Sequence, residues 1–175
     1  IGVVKFPRIS NFTDFDPLDG EPTINLKYIT KKDELSSCDA IILPGSKTTI
    51  ADLNWLNQTG LATAIADYHA NGGIVMGICG GFQMLGATIA DPAGIEGIAG
   101  EYPGLNLIPL QTTITATKTT RQRTTTTKYP HSNISIAGYE IHQGTTKWHS
   151  TGANIANYEH LFTDDTLDLV DRELT

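Results

Sequence analysis

The sequence is short of most features that mark a special environment. Only two of its 175 residues are cysteine, too few for a disulfide framework, and it does not open on a basic stretch followed by an apolar one, as a signal peptide does. A reducing, cytoplasmic compartment is therefore expected. No apolar run approaches the roughly 18 residues that a membrane span needs, so no membrane partner is expected. Basic residues are also scarce: 12 Lys and Arg stand against 19 Asp and Glu, for a net charge of -7. With a pI near 5.0, the chain has no general attraction for phosphate backbones, and nucleic acid is not an expected partner. A Gly-rich loop of the G-x-x-x-x-G-K-[ST] kind is missing, so no ATP cradle is expected here, and no metal site is read. The chain starts "IGVVKFPR", already in an apolar strand pattern, and stops at "LVDRELT" without a capping signal. It reads as one domain, residues 1–175, cut from a longer polypeptide.

What is present is an alternation of short apolar runs and helical patterns. Strands are predicted at "IGVVKF", "TINLKYI", "DAIILPG" and "GGIVMGI", and three of them are nearly all apolar, as strands covered on both faces are. Between the third and fourth, Ile50, Leu53 and Leu56 mark one helix, with Ser46 as N-cap and Gly60 beyond its end. Leu61, Ile65 and Tyr68 mark a second, stopping at Gly72. This order predicts an α/β fold, a three-layer sandwich around a mostly parallel central sheet. Cys38 opens the third strand and reads as a buried small hydrophobe. The Gly- and Pro-rich stretch after Gly86 reads as loops. The threonine-dominated stretch 111–133 reads as two polar strands around a hairpin or mobile loop, and "ISIAGYEIHQG" as a further strand.

The second cysteine stands apart. In "MGICGGFQMLG", Cys79 follows an apolar strand and precedes a helix whose inward face is read as Phe82, Leu85 and Ile89. The carboxyl ends of parallel strands are where ligands collect in open α/β sheets. Gly77, Gly80 and Gly81 permit a sharp strand-to-helix turn, the nucleophile-elbow arrangement, with the sulfur over a helix N-terminus that favours thiolate. "LPGSKTTIADL" follows the neighbouring apolar strand, so amides of Gly45 or Ser46 and of Gly80 can form an oxyanion hole. A buried cysteine in a packing turn is the plain alternative. Of the five histidines, His142 ends a strand and can face the site, while His69, His131 and His149 read as surface residues.

Four segments, "FPRISNFTDFDPL", "LPGSKTTIADLNWL", "GICGGFQMLG" and "GYEIHQG", closely resemble the C-terminal glutamine amidotransferase domains of cobyric acid synthases, within the class I glutamine amidotransferase and flavodoxin-like architecture. The resemblance runs from residue 1 to about residue 170. It implies that Cys79 attacks the side-chain amide of L-glutamine, forms a thioester and releases ammonia. It also implies an oxyanion hole from the Gly45 and Gly80 amides and a contact to glutamine from Gln83; Ser46 and His142 are read beside it as candidate substrate contacts, His142 near glutamine or the ammonia exit. No cofactor is implied for this domain. ATP and magnesium belong to a preceding synthetase domain, the partner that holds the corrinoid acceptor, adenosylcobyrinic acid a,c-diamide. Arg8, Asn11, Asp14 and Asp16 in the first loop either orient glutamine, meet that domain, or form ordinary turn caps.

The family's catalytic histidine lies in a segment like Tyr-Leu-His-Gly, about forty residues past the "GYEIH" strand, and no such segment is visible. Two readings remain. The tail "LFTDDTLDLVDRELT" resembles the stretch before that segment, which places the base beyond Thr175; alternatively "YEHLF" is a degraded version and His160 is the base. The spacing of the tail fits the first without a gap. Other functions stay open too: a cysteine hydrolase of γ-glutamyl compounds, an amidotransferase for a cell-wall precursor, or a glutamine-binding fragment without turnover.

Overall fold

The computed structural model describes residues 1–128 and 131–149, together with the backbone of 158–159 and 170–171. Strand β1 (Gly2–Val4) is followed by a 3-10 turn and the single-turn helix α1 (Asp16–Asp19), then β2 (Lys27–Ile29) and β3 (Ala40–Leu43). Helices α2 (Thr49–Thr59) and α3 (Leu61–Ala70) lead to β4 (Ile74–Gly77) and α4 (Gly80–Leu85). The four strands form one all-parallel sheet in the order β2-β1-β3-β4. The chain leaves β1 for β2 on one side and reaches β3 on the other. The gap between the loops after β1 and β3 is therefore a topological switch point, where α/β sheets open a crevice for ligands.

The helices form where the apolar spacing places them. Ile50, Leu53 and Leu56 of α2 and Leu61 and Ile65 of α3 are buried, and Gly60, at φ 74, ends the first helix and starts the second. Around Val3, Val4, Ile41, Ile42 and Leu43 they make one core with Phe6, which meets Trp55 edge-on at 6.3 Å. Burying each such large apolar side chain contributes about 1.5–3 kcal/mol. Cys38 is buried as expected, its thiol turned to the Glu34 carbonyl at 3.6 Å.

Several expectations need correction. β4 is the edge of its sheet among the described residues, and Ile74 and Met76 are about half exposed rather than covered on both faces. Helix α4 ends at Leu85, so its buried large apolar side chains are Met84 and Leu85; Ile89 belongs to a strand and Phe82 is half-buried. The Gly- and Pro-rich stretch contains two strands, β5 (Thr88–Asp91) and β6 (Gly100–Pro103). Threonine-rich residues form one long strand, β7 (Leu110–Thr126), antiparallel to β8 (Ser135–Trp148). These build a second, mixed sheet in the order β6-β5-β7-β8, separate from the parallel one. Two short strands, β9 (Tyr158–Glu159) and β10 (Val170–Asp171), pair antiparallel with each other.

On β8, Glu140 receives Arg121 at 2.7 Å, Arg123 at 2.8 Å and His142 at 2.9 Å. The arginines, led by the Arg121 hydrogen bond, pull the Glu140 carboxyl down to about 2. Its folded pKa lies below its unfolded one, so the group's stabilisation is present above pH ~4.5 and is lost as pH falls toward ~2. Glu140→Gln should cost about 1 kcal/mol at pH 7, given exposed arginine partners. Urea midpoints of the two proteins at pH 7 and pH 3 check this, and a gap that does not narrow on acidification contradicts it.

Candidate active site

The crevice at the carboxyl ends of β1, β3 and β4 is closed by backbone contacts before any side chain is considered. Ser10 N–H donates to the Gly45 carbonyl and Lys47 N–H to the Arg8 carbonyl, both at 2.9 Å, making an isolated antiparallel bridge between Ile9 and Ser46. The loops after β1 and β3 are thus stitched together. On its other side the β3 loop meets the turn after β4. A side-chain carbon added at Gly45 would lie 3.9 Å from Cys79 Cβ, and one at Gly80 would lie 3.2 Å from Ser46 N. Neighbouring parallel strands bring these two loops together, as the sequence order predicts.

Cys79 occupies φ 50, ψ -112, a backbone region that L-residues rarely adopt. The turn is enforced from below. A Cβ at Gly81 would sit 2.0 Å from the Leu43 carbonyl oxygen, so only glycine lets α4 approach β3 this closely. The sulfur is exposed at its outer side, and its hydrogen-bond acceptor is the Ile141 carbonyl of β8 at 3.6 Å. Among the described residues no histidine hydrogen-bonds the thiol, and His160 lies outside the described residues.

Electrostatically the site differs from the expectation. Crowding by the surrounding loops desolvates the thiol and pushes its pKa up. The Gly80 N–H acts in the opposite direction, as a helix N-terminus should, but burial outweighs it; Asp14 and Glu96 push the same way as burial, and Lys118 opposes them. Helix α4 is only six residues long, so its dipole is weak. Burial thus favours the thiol over the thiolate, and a thiol needs a proton acceptor before it can attack.

Ser46 and Gln83 lie beside the elbow with their side chains already engaged, whereas His142, expected at the end of a strand, lies within β8 and its ring bonds other residues of that strand. Ser46 does not cap α2; Thr48 takes the N-cap position. The Ser46 hydroxyl donates to Asp52 at 2.6 Å and accepts from Thr48 N–H at 3.0 Å, leaving the Ser46 backbone amide toward Gly80. Gln83 is buried, donating to the Gln143 carbonyl at 3.0 Å and accepting from Thr49 at 3.4 Å. It ties the elbow helix to β8. His142 meets Glu140 through Nε2 and the Gly144 carbonyl through Nδ1, at 2.9 and 3.2 Å. In the first loop, Asn11 adopts φ 52, and the Arg8 backbone N–H and guanidinium face Asp52 at 3.3 and 3.9 Å.

Two carboxylates were not anticipated. Asp52 is fully buried beneath the β3 loop, where burial raises its pKa against the Ser46 and Arg8 hydrogen bonds. Glu96 accepts Ile50 N–H at 2.9 Å and also bonds Thr49 N–H, capping α2 from a loop far along the chain. Its pKa too is raised, chiefly by desolvation. Asp91, fully buried, holds that loop by accepting Ile95 and Glu96 N–H at 2.8 Å each. The one available signal for Glu96 is a lone acid between glycines in "GIEG".

A strained cysteine at a parallel sheet's carboxyl edge, flanked by amide-bearing loops, is suited to attack on a carbonyl. Comparison with known proteins bears on the family rather than on the site. Cobyric acid synthase of Nostoc punctiforme is 52% identical over 171 residues, covering 98% of this chain and 35% of the relative. The cobyric acid synthases of Nostoc sp. and Synechococcus elongatus are each 54% identical, covering 98% of this chain and 34% of theirs. The chain thus spans about a third of the length of these curated relatives. Among solved structures, a glutamine amidotransferase superposes with a TM-score of 0.65 at 16% identity, over 93% of this chain and 79% of that one. PurLQS from Thermotoga maritima gives 0.64 at 17%, over 98% and 76%. At such identities these two report the fold alone. With residues 1–167 matching the family's own pattern and Cys79 at its elbow, the chain belongs to the CobB/CobQ-like glutamine amidotransferase domain family.

Proposed function

We propose that this chain is the glutaminase part of a cobyric acid synthase. Cys79 Sγ gives up its proton to a base and attacks the side-chain amide carbonyl of L-glutamine. The tetrahedral oxyanion that forms is received by backbone amides of the β3 loop, Gly45 or Ser46, and by Gly80. The C–N bond then breaks, the nitrogen leaves as ammonia with a proton from the base, and a γ-glutamyl thioester remains. Water cleaves the thioester to glutamate and restores the thiol. Each oxyanion donor is worth about 3 kcal/mol to such a barrier. The observation that carries the reading is the φ 50 backbone of Cys79, beside a loop in which a carbon added at Gly45 would lie 3.9 Å from Cys79 Cβ. Strain of this kind, costing about 1–3 kcal/mol, persists where the surroundings over-determine it, and such places cluster at active sites.

The base is either His160 or a histidine beyond Thr175. Gln83 and the Ser46 hydroxyl, being engaged within the protein, act by fixing the elbow and the β3 loop. The ammonia serves ATP-dependent amidation of corrinoid carboxylates by a synthetase domain of the same polypeptide, in cobalamin biosynthesis; the names of the relatives support this. ATP and magnesium are used there.

The test is an electrophilic L-glutamine analogue carrying a diazoketone in place of the amide, together with glutamate release from glutamine. Mass spectrometry should find one adduct, on Cys79, blocked by excess glutamine. Labelling of Cys38, or of Cys79 without protection by glutamine, contradicts the proposal.

A further inference from the structure

Strand β7 pairs with β5 from Gln111 to Thr113, and from Lys118 to Thr126 its partner among the described residues is β8 alone. This outer part is a two-stranded ribbon, a form that is marginally stable by itself in water. It nonetheless carries apolar side chains with little cover: Tyr139 is 73% exposed, Ile141 47% and Ile136 40%.

Its charge opposes that of the rest of the chain. Between residues 118 and 143, Lys118, Arg121, Arg123 and Lys128 stand against Glu140 alone, while the other residues hold the remaining eight cations and eighteen carboxylates of a chain at -7. A ribbon positive by three charges has no use for phosphate if its arginines are occupied, and both bond Glu140. What it presents is an apolar pair, Tyr139 and Ile141, with Lys118 near one end, opposite Gln143, and Lys128 exposed past the far end of β7. An apolar patch with a charged rim is how a protein-binding surface is built.

The inner end of the ribbon lies beside the nucleophile. The Ile141 carbonyl is the hydrogen-bond acceptor of Cys79 Sγ, and Lys118 is close enough for its charge to act on the thiol. A body docked against the inner end would lie beside Cys79.

We propose that the outer β7–β8 ribbon is a docking arm for an acidic protein surface, one supplied by the further two thirds of chain that the curated cobyric acid synthases carry. This rests on the two-part reading above. The relatives' length provides the candidate surface, and the ribbon's own positive charge calls for an acidic one, because long-range attraction of this kind sets orientation.

The experiment uses a polypeptide of the relatives' length that includes residues 1–175. Carbodiimide couples a lysine to a carboxylate only at contact distance, and mass spectrometry reads the pairs without any turnover. Lys118 or Lys128 should be joined to Asp or Glu outside residues 1–175, with yields falling steeply as salt rises. In the same polypeptide, Lys128→Glu with Tyr139→Ser should lower amide formed per glutamate released at least about fivefold, with ammonia-fed amidation unchanged. Both positions are exposed, so the variant is expected to fold; its circular dichroism checks that. Links confined to residues 1–175, or an unchanged coupling ratio, overturn the proposal. Salt-sensitive retention of a random DNA duplex that the variant loses overturns it as well, in favour of nucleic acid. If the polypeptide releases no glutamate from glutamine, the glutaminase reading fails while the cross-links still decide the docking.

Discussion

A Cys79→Gly protein should melt at a higher temperature than the native chain while losing glutamate release by about 10⁴-fold or more. The two effects have one cause. At φ 50, ψ -112 a side chain crowds its own backbone, and strain of this kind costs about 1–3 kcal/mol. Glycine removes the clash but gives the unfolded chain more freedom, which takes back about 0.4–1 kcal/mol. A net gain of about 1 kcal/mol is expected, or roughly 2–4 °C in a chain of this size. The expected gain is larger than for Cys79→Ala, which keeps Cβ and with it the strain. Calorimetry on both variants, beside a glutamate assay, separates the terms. Equal melting of the two would dispose of backbone strain at the elbow, and surviving glutaminase activity would dispose of Cys79 as nucleophile.

Gly81→Val should be the most damaging single change to the fold near the site. Its Cβ would fall 2.0 Å from the Leu43 oxygen, 2.5 Å from the Leu43 carbonyl carbon and 2.7 Å from the Pro44 oxygen. All three are backbone atoms of the strand and loop beside the elbow, so no side-chain rotation relieves the clash. Either α4 leaves β3 or β3 bends, and both undo the contacts among Leu43, Met84 and Leu85 in the core. The expected loss is about 4 kcal/mol or more, in the range reserved for overpacking against an unyielding wall. Gly138→Ala is the matched control, since nothing lies within 4 Å of its Cβ; it should change stability by less than about 0.5 kcal/mol. Urea midpoints decide the matter. A Gly81→Val midpoint close to that of Gly138→Ala would mean that the approach of α4 to β3 is looser than the geometry requires.

The parallel sheet and the elbow were legible because local pattern and tertiary role coincide there. Apolar runs with Gly60 and the Gly77–Gly81 cluster mark strand ends, a helix boundary and the sharp turn with residue types that have few other uses. The second sheet was legible only in part: the threonine-rich stretch and "ISIAGYEIHQG" read as strands, while the single long β7, β5 and β6 did not, for the opposite reason. Thr119 to Thr126 of β7 alternate polar with polar, and their strand is fixed by pairing with Ser135 to His142 rather than by a buried face. β5 and β6 hide among glycines and prolines because their order comes from each other and from β7. Ile89 keeps the helical spacing from Phe82 and Leu85 and is buried all the same, but in a strand. At the site, the positions of Cys79, Gly45 and Gly80 followed from strand order alone. The rise in the Cys79 pKa did not, since desolvation depends on loops that converge from four parts of the chain. Nor did the partners of Ser46 and Gln83, which lie in α2 and β8.

The bridge between the loops after β1 and β3 also decides which way a peptide faces. The Gly45 carbonyl is pinned toward β1 by the Ser10 N–H. A trans peptide is planar, with its C=O and N–H pointing in opposite directions, so the Ser46 N–H is turned away from β1 and toward β4, where the Gly80 backbone and Cys79 lie. A flip of this one plane would break the Ser10 hydrogen bond and reverse the polarity that the crevice presents to a ligand. The donor's aim is therefore settled when the chain folds, and an arriving carbonyl meets a dipole that has no reorientation left to make.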